Sequence, residues 1–122
     1  MTRKDKLRML GRIATLMADR AKLPVAIAQS AVQVAEQDLM RLAAHRKQLL
    51  EDVADPLVAA QLFAQGQKLR AVQSQQSAVL AARRADLETA KAIARPAVGR
   101  QHVLEKILLQ EVKARASQSR AK

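Results

Sequence analysis

The sequence predicts an all-α fold, a long antiparallel two-helix coiled coil (an αα-hairpin), and three observations support this. Apolar residues recur every three or four positions over most of the first half of the chain. Three glycines and three prolines in 122 residues leave few places for the frequent turns that small β-proteins need. The chain has 25 alanines but a single Phe and no Trp or Tyr, which favours thin helix-on-helix contacts over a thick core.

The first predicted helix, about residues 3–53, carries a regular apolar stripe. Steps of three and four residues alternate along it, which is the spacing of a coiled-coil seam. Two successive steps of four, from Met17 to Val25, predict a stutter, and Pro24 inside this stretch predicts a bend. The predicted seam positions are Leu7, Leu10, Ala14, Met17, Ala21, Val25, Ala28, Val32, Ala35, Leu39, Leu42, Arg46, Leu49 and Val53.

The turn between the helices is predicted within residues 52–66. Carboxylates cluster there, and Asp55 is followed by Pro56. Proline disfavours helix in the residue before it and suits the first turn of a new helix. Asp55 is therefore the expected N-cap of the second helix.

The second predicted helix, about residues 57–118, has a looser seam. Gln76 and Gln101 interrupt it, and Pro96 predicts a second bend. Two long helices with one short connection are expected to fold back on each other as a single domain, residues 1–122. The predicted seam positions are Leu62, Leu69, Val72, Val79 or Leu80, Leu87, Ala90, Ala94, Ala97, Leu104, Leu108 and Val112.

The formal net charge of +11 is concentrated at the two ends of the chain. Residues 1–22 carry a net +5 and residues 95–122 another +5, whereas residues 23–94 carry only +1. An antiparallel hairpin would bring both basic ends together. We expect such a concentration of like charge to be received by something acidic, because it otherwise costs repulsion.

The sequence carries no pattern typical of an enzyme. The glycines stand alone at positions 11, 66 and 99, so no phosphate-binding loop is present, and the absence of cysteine excludes disulfides and thiolate metal ligands. His45 and His102 each lie in a basic setting typical of a solvated helix face. We expect no catalytic residue, no cofactor and no metal. Without a signal-peptide or membrane-spanning segment, a cytoplasmic protein is expected.

The overall layout resembles the FliJ/YscO proteins of bacterial flagellar and type III secretion export. The similar features are the basic first helix, the middle rich in Ala and Gln, the Asp55-Pro56 break and the closing run at residues 100–109, RQHVLEKILL. The resemblance implies an antiparallel coiled-coil stalk, similar to the two-helix part of the gamma subunit of rotary ATPases. Such a stalk inserts the end that carries both termini into a hexameric export ATPase. Its other end reaches toward the membrane export gate, at the cytoplasmic face of the inner membrane, and some members also bind export chaperones.

The resemblance and the charge distribution together predict two contact sites. Phe63, the only aromatic residue, is turned about 100° from Leu62 on the helix; it either caps the hairpin core or contacts the export gate. The other site is a set of cations from both chain ends, expected to bind the ATPase and here termed the basic tip. Its members are Arg3, Lys6, Arg8, Arg12, Lys106, Lys113 and Arg115.

Two alternative functions stay open. The basic ends could bind nucleic acid, although they lack aromatic residues for base stacking and any recognised binding motif, so this partner is less favoured. The chain could instead be a plain homodimeric coiled coil. The sequence does not distinguish a flagellar from an injectisome system.

Overall fold

Two long α-helices packed against each other form the chain in a computed structural model, which describes residues 2–51 and 55–121. Helix α1 spans Arg3–Glu51 and helix α2 spans Pro56–Ala121. Within the described ranges there is no strand. The predicted all-α helical hairpin is thus confirmed. Both helices continue without interruption through Pro24 and Pro96, the positions of the predicted bends.

Four residues, 52–55, separate the last residue of α1 from the first residue of α2. Residues 52–54, which include Val53, the last predicted seam position of α1, lie outside the described residues. Asp55 caps α2 as predicted: its Oδ1 atom accepts a hydrogen bond from the Leu57 amide at 3.1 Å. Its carbonyl oxygen accepts another from the Ala59 amide at 2.8 Å. The first bond satisfies an amide that a helix start leaves without an intrahelical partner, and the second is the first backbone hydrogen bond of the helix.

A reciprocal cap begins α1. The Asp5 amide donates to Thr2 Oγ1 at 3.2 Å, while Asp5 Oδ2 accepts from the Thr2 hydroxyl at 2.9 Å and from the Thr2 amide at 3.4 Å. This is the capping-box arrangement with Asp in the acidic position. The hydrogen bond from the Thr2 hydroxyl, followed by that from its amide, holds the pKa of Asp5 below its ordinary value.

The interhelical contacts group into two compact units, each made from a part of both helices. The terminal unit consists of Met1–Ala26 and Thr89–Lys122, and the middle unit consists of Ile27–Glu88. The terminal unit therefore contains the start of α1 and the end of α2. This pairing follows directly from the antiparallel arrangement of the helices.

The middle unit has a small apolar core. Val32, Ala35 and Leu80 are buried, and the half-buried Leu39 and Leu87 pack against them. Beside this core, Arg84 Nη2 lies 3.4 Å from Glu36 Oε1 and joins the two helices. Both side chains of this ion pair are about half exposed, so we expect it to stabilise the unit by less than about 1 kcal/mol.

The terminal unit is held together by smaller side chains. Its buried residues are Ala14, Ala18 and Ala94. Gly11 is half-buried beside Leu108. Small residues on both helices allow the backbones to approach closely, which is the arrangement that the high alanine content predicted.

The register of α1 differs from the predicted seam at two positions. Leu10 and Met17 are 50% and 49% exposed, and their neighbours Gly11 and Ala18 take their places against α2. The prediction favoured the larger apolar side chains, but the smaller ones permit the closer approach. With this correction the steps alternate strictly between four and three, and the predicted stutter is wrong. The observed seam is Leu7, Gly11, Ala14, Ala18, Ala21, Val25, Ala28, Val32, Ala35, Leu39, Leu42, Arg46 and Leu49.

The seam of α2 is also more regular than predicted. Val72, Val79 and Val112 are exposed, and the register runs through Leu80 rather than Val79. Four seam positions are occupied by polar residues, Gln73, Gln76, Gln101 and Glu111, including the two glutamines that were expected to interrupt the seam. The seven-residue repeat places them there although their side chains are not hydrophobic. The observed seam is Ala59, Leu62, Gly66, Leu69, Gln73, Gln76, Leu80, Leu87, Ala90, Ala94, Ala97, Gln101, Leu104, Leu108 and Glu111.

Two polar seam residues, one on each helix, lack a full set of hydrogen bonds. Arg46 Nε in the middle unit and Gln101 Oε1 in the terminal unit are buried atoms without a hydrogen-bond partner among the described residues. An unsatisfied buried polar atom costs free energy. Polar seam positions of this kind can fix the register of a coiled coil at the expense of stability.

Candidate functional site

The terminal unit carries the whole formal net charge of the chain. Its sequence ranges contain fifteen Lys and Arg against four Asp and Glu, a net charge of +11. The middle unit contains seven of each sign and is formally neutral. The terminal unit is therefore strongly basic and the middle unit neutral. This contrast is greater than that between the ends, residues 1–22 and 95–122, and the middle, residues 23–94, of the sequence.

All seven residues of the basic tip are exposed and all lie in the terminal unit. Arg8 from α1 and Arg115 from α2 line the same small cleft, of about 130 Å³, together with Lys4 and Glu111. Arg8 and Arg12 also line a larger open cleft of about 560 Å³, in which Glu105 is the acidic residue. The structure thus brings cations from both chain ends together. Lys6, Lys106 and Lys113 are exposed on the outer surfaces of the helices.

One member of the basic tip is paired within the chain. Arg3 Nε lies 3.3 Å from Glu111 Oε1; the Arg3 side chain is highly exposed, whereas that of Glu111 is half-buried. Glu111 occupies a seam position and contributes an acidic group in the middle of a basic surface. Glu111 consequently neutralises part of the charge that Arg3 would offer to a partner.

Lys4 is a tip residue that the sequence prediction missed. It is half-buried and lines the cleft shared by Arg8 and Arg115. The signal for it was present in the spacing, because Lys4 lies seven residues before Gly11 and fourteen before Ala18, both in the observed seam. Since the predicted register ran through Leu10 and Met17 instead, Lys4 was not recognised.

An apolar groove of about 550 Å³ lies on another surface of the terminal unit. Leu10, Ile13 and Met17 of α1 line one side of it and Val103 of α2 lines the other. Arg100 is the charged residue in its lining. The side chains displaced from the predicted seam, Leu10 and Met17, are thus the walls of this groove.

Phe63 lies in the middle unit and is 63% exposed, whereas its neighbour Leu62 is half-buried in the seam. The offset predicted from the helical repeat therefore places the aromatic ring on the surface. Leu57, one of the exposed apolar residues of the same helix, precedes it by six positions and is 82% exposed. The ring is accessible for contact with another molecule.

The histidines lie on exposed helix surfaces. His45 lines an open cleft of the middle unit with Asp38 and Arg41, and His102 belongs to the terminal unit. Among the described residues, no group of three or more His, Asp or Glu side chains is arranged to hold a metal ion. No helix in the described part of the chain has an apolar stretch sufficient to cross a membrane.

Comparison with protein-family models, curated proteins and solved structures found no significant match. The resemblance to the FliJ/YscO proteins consequently depends on the sequence layout alone. The features that carry it are the basic ends, the Asp55-Pro56 break and the closing run at residues 100–109.

Proposed function

We propose that this chain is a non-enzymatic stalk or adaptor of a bacterial type III export ATPase, of either a flagellar or an injectisome system. It inserts its terminal unit into the hexameric ATPase ring and links the ring to the membrane export-gate protein or to export chaperones. It acts in the cytoplasm, at the cytoplasmic face of the inner-membrane export apparatus. The observation that supports this most strongly is the net charge of +11 on the terminal unit against zero on the middle unit.

The charge supports docking through many weak contacts. Each exposed ion pair contributes less than about 1 kcal/mol, so no single cation of the basic tip dominates. Together the cations create a field that attracts an acidic surface, raises the association rate and is screened by salt. A ring lined by acidic groups would also relieve the repulsion among the cations themselves.

The neutral middle unit suits a different kind of contact. It has no formal net charge to orient a charged partner, and its exposed Phe63 is an aromatic residue of the kind enriched at the core of protein interfaces. We assign the gate contact to Phe63. Binding of the gate or of chaperones here would leave the basic tip available for the ATPase.

A pair of charge-matched variants tests the ATPase contact. Arg8→Glu with Arg115→Glu reverses two cations that line one cleft of the basic tip. Lys68→Glu with Arg70→Glu makes the same charge change in the middle unit. The hexameric export ATPase should co-purify with the wild-type chain and with the middle-unit variant, and should be lost or strongly reduced with the tip variant. Normal stimulation of the ATPase by a folded tip variant would refute this docking mode.

The same variants test the nucleic-acid alternative, which the +11 charge also supports. A nucleic-acid-binding hairpin should bind duplex RNA or DNA with an affinity that falls steeply with salt, and the tip variant should lose this binding. Loss of nucleic-acid binding with unchanged ATPase binding would favour the alternative. A homodimer in sedimentation analysis, with neither partner bound, would favour a plain coiled coil.

A further inference from the structure

The apolar groove of the terminal unit has the residue spacing of a helix-binding surface. Leu10, Ile13 and Met17 follow one another at steps of three and four on α1, so they form one ridge about two turns long. They are 50%, 46% and 49% exposed, and Val103 on the opposite wall is 57% exposed. Four large apolar side chains are thus half covered by the hairpin and half open to water.

Small residues contribute to the lining of the groove beside the larger apolar side chains, and they leave space between its walls. Ala14, Ala97 and Gly99 all belong to its lining. Apart from its chain neighbours and the adjoining backbone of α2, a β-carbon built at Gly99 would meet no described atom within 4 Å. Side chains of a third helix could therefore enter the groove and pack against the four large apolar side chains of its two walls, as in the packing of ridges into grooves.

The charge around the groove indicates which kind of helix it would accept. Among the described residues, Arg100 is the one charged residue in its lining, and the unit as a whole carries a formal net charge of +11. An occupant with acidic residues beside its apolar stripe would be attracted by this field. A second copy of the terminal unit would instead bring another +11 into contact, and the repulsion would oppose that association.

We propose that this groove binds an acidic amphipathic α-helix of a partner protein. The apolar stripe of that helix contacts Leu10, Ile13, Met17 and Val103, and its acidic residues lie beside Arg100. This inference goes beyond the proposed function, because the groove shares no residue with the basic tip and its binding requires no ATPase. It also gives a role to Leu10 and Met17, which the seam leaves exposed.

The probe is a synthetic helical peptide of about 18 residues, long enough for about five turns, with Leu at coiled-coil spacing and Glu elsewhere. A second peptide has Lys in place of every Glu. Fluorescence anisotropy measures the binding of each peptide to the full chain. We expect the acidic peptide to bind saturably, with an affinity that falls as salt is added, and the basic peptide not to bind.

The decisive comparison uses two variants of equal charge. Val103→Glu places a carboxylate in the groove, and Leu109→Glu places one elsewhere on the same helix of the same unit, at a residue with nearly the same exposure, 56% against 57%. Val103→Glu should weaken binding of the acidic peptide at least about tenfold, the equivalent of losing one buried apolar contact. Leu109→Glu should weaken it by no more than about twofold. Far-UV circular dichroism should show the same helicity for both variants.

Three outcomes would overturn the proposal. Equal loss of binding in both variants would mean that the peptide responds only to the overall charge. Unchanged binding in Val103→Glu would place the contact outside the groove. A wild-type dimer in sedimentation analysis that Val103→Glu dissociates would identify a second copy as the occupant. If Val103→Glu lowers helicity, Ile13→Ser provides the same test without a new charge in the groove.

The test is also distinct from that of the proposed function. A chain that binds the acidic peptide through the groove but not the ATPase retains this inference and loses the stalk assignment. A chain that binds the ATPase through the basic tip but not the peptide does the reverse.

Discussion

A β-carbon at Gly11 would lie 3.1 Å from the Cδ1 atom of Leu108, so these two residues mark a close approach of the helices in the terminal unit. The distance is shorter than an ordinary van der Waals contact between carbons. Gly11 leaves room for the Leu108 side chain to reach the backbone of α1. Because Gly11 occupies the seam, its neighbour Leu10 is exposed and lines the apolar groove.

Alanine substitutions at two glycines should therefore have different effects. Gly66 is buried in the middle unit, but apart from its chain neighbours and the adjoining backbone of α2 a β-carbon there would meet no described atom within 4 Å. Gly66→Ala should raise the free energy of unfolding by about 0.5–1 kcal/mol, because glycine disfavours the helix interior. Gly11→Ala should gain less or be destabilising, since Leu108 must move to accommodate the new methyl group.

Chemical denaturation of both variants measures this difference. The slope of the transition should stay the same, so that a change in midpoint reports stability alone. An increase for Gly11→Ala as large as that for Gly66→Ala would show that Leu108 does not resist the added methyl group.

The register of α2 can be tested at two adjacent positions. Leu80 is 8% exposed and belongs to the buried core of the middle unit, whereas Val79 is 39% exposed. Leu80→Ala should cost about 2–5 kcal/mol, near the lower end because the surrounding seam is thin. Val79→Ala should cost less than about 1 kcal/mol. Similar losses in thermal unfolding of the two variants would contradict the observed register.

The fold could be predicted from the sequence because it depends on repeating features. The absence of turn signals, the apolar spacing and Asp55-Pro56 sufficed for two helices and for the N-cap of α2. The register was harder, since it is decided by how closely two backbones approach. Hydrophobicity selected Leu10 and Met17, while the packing selects Gly11 and Ala18 because they are smaller.

The candidate site shows the same limit. The concentration of charge at the two chain ends followed from counting residues, and the antiparallel fold explains why it belongs to one unit. The pairing of Arg3 with Glu111 could not be predicted, whereas the place of Lys4 follows from the spacing once Gly11 and Ala18 are in the seam. That pairing depends on how α2 is aligned along α1, and the apolar spacing of a single sequence does not fix this alignment.

The capping box at the start of α1 should respond to pH. The pKa of Asp5 is lowered from its ordinary value of about 3.8, chiefly by the hydrogen bond from the Thr2 hydroxyl. Because the folded pKa lies below the unfolded one, the carboxylate stabilises the cap fully above about pH 4. This contribution is lost as the pH falls through the folded value.

Thr2→Ala removes the hydroxyl and should return the pKa of Asp5 toward 3.8. NMR titration of the Asp5 carboxyl carbon in the wild type and in the variant measures this directly. An Asp5 titration that is the same in the wild type and in Thr2→Ala would exclude the hydrogen bond as the cause of the shift.

Phe63→Ala separates the two roles considered for the only aromatic residue. Because the side chain is 63% exposed, its truncation should lower the free energy of unfolding by less than about 1 kcal/mol, far below the roughly 3–5 kcal/mol typical of a buried Phe. Under the proposed function, the same variant should lose binding to the cytoplasmic part of the export-gate protein while keeping its affinity for the ATPase. Circular dichroism, thermal unfolding and two binding measurements on one purified variant cover all of these outcomes.

A large loss of stability would show that Phe63 caps the hairpin core instead. A stable variant with unchanged gate binding would remove Phe63 from the proposed contact, because the proposal makes this side chain the aromatic anchor of that contact.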